Sequence, residues 1–223
     1  MKRFLSAASA RTRTNTFHRV EENEFVSKSA HTPRHVPSFI ERPPMPLSSQ
    51  ASLPSLLQNE SQISGIQRAC EIARMVLDYA CLQAEEGLTT DQLDRVVHEK
   101  VISLGAYPSP LGYHGFPKSI CTSVNNILCH GIPDERPLKK GDIINIDVTV
   151  FYKGFHGDTS RTLEIGLVDQ VGRDLTQAAR KAMEIGINQC GPGQKISDIG
   201  KAISIFSQEC GFLSDPHFCG HGI

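Results

Sequence analysis

The run IINIDVTVFYKGFHGDTSRT, residues 143–162, limits the possible folds of this chain more than any other stretch. Side chains alternate faces along a strand. Ile144, Ile146, Val148 and Val150 therefore share one face, and Asn145, Asp147 and Thr149 share the other. In a second arm, His156, Asp158, Ser160 and Thr162 fall on a common face. Lys153-Gly154 between the arms is a turn signal, because glycine supplies the positive φ that a tight hairpin needs. A two-residue loop there pairs Asp147 with Ser160 and Thr149 with Asp158, so both aspartates project from one polar face as diagonal neighbours. Like charges on neighbouring strand positions repel, and a cation between them would turn that repulsion into a site. A bulge or a three-residue loop breaks the parity. The plain alternative is two solvated aspartates on the wet face of an antiparallel sheet.

The rest of the chain narrows the function class by exclusion. Lys+Arg is 23 and Asp+Glu is 24, a net charge of -1, so no global basic field argues for nucleic acid. No apolar run approaches the roughly 20 residues that span a bilayer, so a soluble protein without a membrane partner is expected. The seven cysteines, Cys70, Cys81, Cys121, Cys129, Cys190, Cys210 and Cys219, are scattered and form no C-x-x-C pair. Free thiols in a reducing compartment fit that spacing better than a disulfide framework or a zinc finger.

Residues 1–20 carry Lys2, Arg3, Arg11, Arg13 and Arg19 and no acid before Glu21, with Ser, Thr and Ala between. That is the composition of an organellar transit peptide; a plain basic tail is the alternative. Residues 31–54 hold six prolines and read as an extended linker. The domain division is thus 1–60, a disordered transit-like segment with its linker, and 61–223, a folded domain. In the latter, a helix is expected from about Gln62 to Gly87, and a second with Thr89 or Thr90 as N-cap, stopped by Gly105. SICTSV (119–124), the turn Asn125-Asn126 and ILCHGI (127–132) read as a further hairpin. Residues 133–142 read as a loop, 170–190 and 195–209 as two more helices, and GFLSDPHFCGHGI as a strand entering a glycine-rich turn. Two helices before a Gly/Pro-rich strand region in each half form a faint internal echo.

Three histidines join the aspartates as candidates: His130 in LCHGIPD, His221 in CGHGI and His217 four residues before it. Aspartate with neutral imidazole suits divalent Mn, Fe, Co or Zn. Each histidine also has a bland reading as a turn residue, although the glycines flanking His221 permit close backbone approach.

The runs YPSPLGYHGFPKSICTSVNNILCHGIPD (107–134), GDIINIDVTVFYKGFHGDTSRT (141–162) and FCGHGI (218–223) closely resemble type 1 methionine aminopeptidases, and the basic N-terminus resembles the organellar, mitochondrial-type members. The resemblance covers about residues 62–223 in order and spacing. It implies an α/β (α+β) pita-bread fold, an antiparallel sheet flanked by helices in two pseudo-symmetric halves. It implies Asp147 as the bidentate ligand, Asp158 as the bridging ligand and His221 as the imidazole ligand of two divalent ions (Co, Mn, Fe or Zn). His130 is implied to contact substrate and help stabilise the reacting amide. Tyr113, Phe116 and Cys121 are implied to line the methionine pocket, with Phe116 where tyrosine is common, and Thr149 to support the site from behind. Asn125 and Ile127 match a loop that holds one monovalent cation in some members. The implied reaction is removal of the initiator methionine from nascent polypeptides with a small second residue, by metal-hydroxide attack on the first peptide bond. The implied enzyme is monomeric and mitochondrial, or of another organelle, the cytoplasm being the alternative.

One departure accompanies the resemblance. In the family the chain continues past GHGI, where a second histidine and two glutamates complete the site. Three of five protein ligands are assignable here, so a C-terminally truncated chain with an incomplete second half is expected. That leaves an alternative from another class, an inactive pita-bread protein that binds partners or has no function. A prolidase or creatinase type lacks support, because those usually carry a larger N-terminal domain.

Overall fold

The structure is a computed structural model that describes residues 20–21, 34–44 and 59–222. The transit-like residues 1–19 and most of the proline-rich stretch lie outside the described residues. The chain divides into two compact units, one built on residues 18–167 and one on residues 168–222.

In the first unit, α1 (Glu60–Gln83) and α2 (Thr90–Ser103) each open on a reciprocal capping box, Asn59 with Gln62 and Thr89 with Gln92. Such a box satisfies two of the orphan N–H groups at a helix start. α1 buries Ala69, Ile72, Ala73, Val76, Leu77 and Ala80, and α2 buries Leu93, Val97 and Val101 together with the polar Thr90, Asp94 and His98. Gly105, at φ 71, follows the end of α2. The strands β1 (Tyr107–Pro108), β2 (Cys121–Val124), β3 (Ile143–Tyr152) and β4 (Phe155–Glu164) form one antiparallel sheet. β4 pairs along one edge of β3, and β1 and β2 share the other.

The β3–β4 register is the one implied by a two-residue turn: Asp147 faces Ser160 and Thr149 faces Asp158. Lys153 and Gly154 both have positive φ, 49° and 89°, as a type I′ turn requires. Ile144, Ile146, Val148 and Val150 are all 0 % exposed and join the helices in the core. Gly157 lets β4 lie directly on α1. A Cβ there would come within 2.4 Å of the Ala69 carbonyl.

Two expected strands are absent. The Asn125-Asn126 turn forms, with Ile127 N–H donating to Val124 O at 3.0 Å, but 127–132 is not a strand, and β2 pairs with β3 instead. His130 adopts φ 53, which breaks an extended run. Gly131 presses so close to β2 that a Cβ would sit 2.1 Å from Thr122 O. In the tail, residues 212–222 contain no strand. Asp215 Oδ1 accepts the His217 N–H at 2.8 Å, which folds the DPH stretch into a turn instead.

The second unit contains α3 (Gln170–Ile187), capped by Asp169 through Gly172 N–H at 2.7 Å, and α4 (Ile196–Glu209). Gly186 admits Ile203 and Ile199 of α4 against α3. Among the described residues no helix is long and apolar enough to cross a membrane.

Candidate metal centre

The two strand arms bring the aspartates together by register alone. Asp147 stands opposite Ser160 on β4 and Cys121 on β2, and Asp158 stands opposite Thr149. The aspartates are thus diagonal neighbours, about 7–8 Å apart at the backbone, within side-chain reach of shared cations. Both are half-buried. Ser123, Asn145, Thr149, Ser160 and Thr162 share their parity, with the buried Cys121 beside Asp147 and Ile143 and Phe151 at the two ends of the same face of β3. Burial, and after it the charges of Asp147 and Asp158, push the Cys121 thiol up to about 12. Two carboxylates converging in one field fit a hard or borderline divalent cation.

Loops at the ends of β1 and β2 border this face. Ser109 N–H donates to Thr149 O at 3.0 Å, and Ser109 Oγ lies 2.9 Å from His156 Nδ1. Burial pulls the His156 imidazole down, with Asp158 acting the other way. Beyond Ser109 a short 3₁₀ turn, Tyr113–Gly115, carries Tyr113, exposed and edge-on to the His114 ring at 4.4 Å. Phe116 is half-buried, and its N–H donates to Tyr113 O. His130 is exposed, but its backbone is fixed. Thr122 N–H donates to Gly131 O at 2.9 Å, and Gly131 N–H donates to Ser123 Oγ at 3.2 Å. The positive φ of His114, Asn125 and His130, at 46°, 54° and 53°, puts three of these loop residues in sparsely populated backbone.

Asn125 and Ile127 lie in the turn after β2. The Asn125 amide donates to Asp142 Oδ1 at 2.8 Å and accepts the Ile143 N–H at 2.9 Å. Asp142, 0 % exposed, also receives Arg136 Nη1 at 2.8 Å and the Lys139 N–H at 2.9 Å. Burial alone would raise the Asp142 carboxyl, but the Arg136 hydrogen bond and the other donors reverse this and hold it below the usual carboxylate range.

His221 belongs to the second unit, where it is exposed with Nδ1 3.1 Å from Gly222 O. His217 pairs with Asp215 at 2.8 Å. Among the described residues, no group of three or more His, Cys, Asp or Glu side chains stands at metal-holding range.

Several polar residues near the site escaped sequence reasoning. Asp94 and His98 sit on the core face of α2, and a charged or titratable residue at core-facing helical spacing was the signal available for them. His156 carried only its place in the aspartate-bearing arm.

A family model described as metallopeptidase family M24 matches residues 64–223. The chain is 54% identical over 167 residues to the human protein named methionine aminopeptidase 1D, mitochondrial, covering 75% of this chain and 50% of that one. It is 50% identical over 191 residues to the zebrafish protein of the same name, covering 84% and 56%. The chain spans about half the length of these curated relatives. Among solved structures, a methionine aminopeptidase from Rickettsia prowazekii superposes with TM-score 0.68 at 42% identity, covering 69% of this chain and 62% of that one. The pita-bread fold is thereby shared.

Proposed function

The chain belongs to metallopeptidase family M24, and on that premise we propose that it acts as a methionine aminopeptidase, with Asp147 and Asp158 as carboxylate ligands of a two-metal site. The observation that carries the reading is the β3–β4 register, which sets two half-buried aspartates as diagonal neighbours on one polar face. Bound there, a pair of divalent ions supplies Lewis acidity and an activated water. His221 is assigned as a metal-ligating imidazole. The ions are Co, Mn, Fe or Zn by the ligand types.

The remaining residues handle the substrate. Phe116, Tyr113 and the thiol of Cys121 form the apolar wall that receives a methionine side chain. We assign to His130, on its anchored turn beside β2, the donation of a hydrogen bond to oxygen charge developing at the scissile amide. Thr149, opposite Asp158, fixes the carboxylate from the adjoining strand. Asn125 and Ile127 are assigned to a monovalent cation loop. The substrates are nascent polypeptides that begin with Met and continue with a small residue, and the protein acts as a monomer in mitochondria or another organelle.

Asp158→Asn tests the reading on the purified chain. Calorimetric titration with Mn²⁺ should show binding to the parent and a loss in the variant greater than the ~10–100-fold typical of losing an outer-shell partner. Release of Met from a Met-Ala peptide should vanish in parallel. Equal Mn²⁺ affinity in both proteins removes Asp158 from the site.

A further inference from the structure

Residues 34–44 have no helix or strand, yet they are packed into the first unit. Val36 and Ile40 are each 4 % exposed and join Tyr107, Leu111 and Phe151 in a second apolar cluster. Arg34 Nε donates to Asp94 Oδ2 at 2.6 Å, and Arg34 Nη2 donates to the Asp91 carbonyl and carboxylate, both at 2.9 Å. One residue on, His35 O accepts from His98 Nε2 at 3.0 Å, which leaves Nδ1 to accept from Ser119 Oγ at 2.7 Å.

Asp94 sits between this strap and the candidate pocket. Its side chain is fully buried. One oxygen takes the Arg34 guanidinium; the other accepts the N–H of Ser119 at 2.7 Å and of Ile120 at 3.1 Å. Those two residues immediately precede Cys121, which opens β2 opposite Asp147. Lys118, just before them, pairs with Asp91, which Arg34 also holds. A buried carboxylate needs a cation and hydrogen bonds to stay charged. Arg34 meets that need on one side, so the other oxygen remains a fixed, charged acceptor for two backbone amides.

We propose that Arg34 and Asp94 are a positioning pair for the pocket wall: the strap, acting through one buried carboxylate, sets where Cys121 stands on the site face. The consequence for substrate rests on the pocket reading of Cys121; the relay from Arg34 to the 119–120 amides does not.

The test uses the full chain with Arg34→Met, which keeps the aliphatic stem and removes the fork. Hydrogen exchange followed by NMR should show the Ser119 and Ile120 amides losing about tenfold or more in protection, while Ile144 and Ile146 in the core keep theirs. Maleimide labelling of Cys121 should accelerate in step. Asp94→Asn in the Arg34→Met background removes the stranded charge but keeps an acceptor oxygen, and should restore much of the protection. Unchanged amides, a uniform loss at all amides including the core, or a double variant no better than Arg34→Met each overturn the pair. Should Arg34→Met not fold, Arg34→Lys decides by the same amides, with an intermediate loss expected and none overturning the proposal. On a Met-Ala peptide, KM should rise in Arg34→Met while kcat holds. Altered exchange with an unmoved KM would reject the pocket role of Cys121 and leave the relay intact, and absence of turnover in every protein would reject the peptidase reading, with the exchange result still deciding the relay.

Discussion

Replacing Gly157 with alanine should be among the most damaging single-methyl changes in this protein. The added Cβ would stand 2.4 Å from the carbonyl carbon and oxygen of Ala69 and 2.6 Å from Cys70 N. These are backbone atoms inside α1, so no rotamer change relieves the clash. Ordinary contact begins at 3.4 Å, so α1 and β4 must part by about 1 Å, the gap from 2.4 to 3.4. A gap of that size forfeits roughly a quarter to a half of each dispersion contact across it. The contacts at risk are those of Ala69, Ile72, Ala73 and Val76 with the sheet. Overpacking usually costs about 1–3 kcal/mol, and rigid backbone on the receiving side places this case near 3. The melting temperature should fall by about 6–12 °C for a chain of this size. Gly154→Ala is the matched control: φ is 89°, with nothing within 4 Å of the new Cβ, so only left-handed strain of about 1–2 kcal/mol applies. Guanidinium denaturation at constant m-value compares the two. A Gly157→Ala variant as stable as Gly154→Ala would refute the close approach of β4 to α1. Because Asp158 is the next residue, Mn²⁺ affinity should drop in Gly157→Ala and hold in Gly154→Ala.

Asp142→Asn should cost about 3 kcal/mol near neutrality, since it strands the buried Arg136, whose Nε has no hydrogen-bond partner among the described residues. The Asp142 carboxyl is held low in the folded state, so its stabilising contribution is present above the ordinary aspartate range, about pH 3.9, and is lost as pH falls through the lowered folded value. The variant's stability should therefore vary less with acid than the parent's, as denaturant melts taken across that range will show. For targeting, fusing residues 1–40 to a fluorescent reporter should direct it to an organelle, and a diffuse cytosolic signal would remove the transit-peptide reading.

What was legible in the sequence was what local periodicity carries. The alternation over 143–162 and the Lys153-Gly154 turn determine a register in which a one-residue slip would send Ile144, Ile146, Val148 and Val150 to the polar face. The capping signals at Thr89 and Gly105 bounded α2 in the same way. The failures came where contacts distant in sequence decide. ILCHGI has the apolar content of a strand, but Gly131 takes its hydrogen bonds from Thr122 and toward the Ser123 hydroxyl, and His130 turns left-handed between them. Residues 34–44 have no period to read. Their order comes from Arg34 reaching carboxylates 57 and 60 positions away, and from Val36 and Ile40 meeting residues that begin at 102.

The two faces of the sheet explain how a repelling pair of aspartates is tolerated. On the inner face four fully buried aliphatic residues of β3 each contribute about 1.5–3 kcal/mol of burial. Like charges across strands cost no more than about 1 kcal/mol. The inner face therefore determines the register, and the outer face is free to hold groups that do not stabilise the sheet. Two half-buried carboxylates on one face disfavour any further negative charge there, and burial together with them keeps the Cys121 thiol protonated. A cation reverses the sign of every one of those interactions. Since it binds only where the register has already paired the arms, it stabilises the folded state in proportion to its concentration over its dissociation constant. The hairpin should accordingly gain thermal stability from divalent ions to the degree that both carboxylates remain. The gain should be largest with the parent, smaller when one aspartate is amidated, and absent when both are.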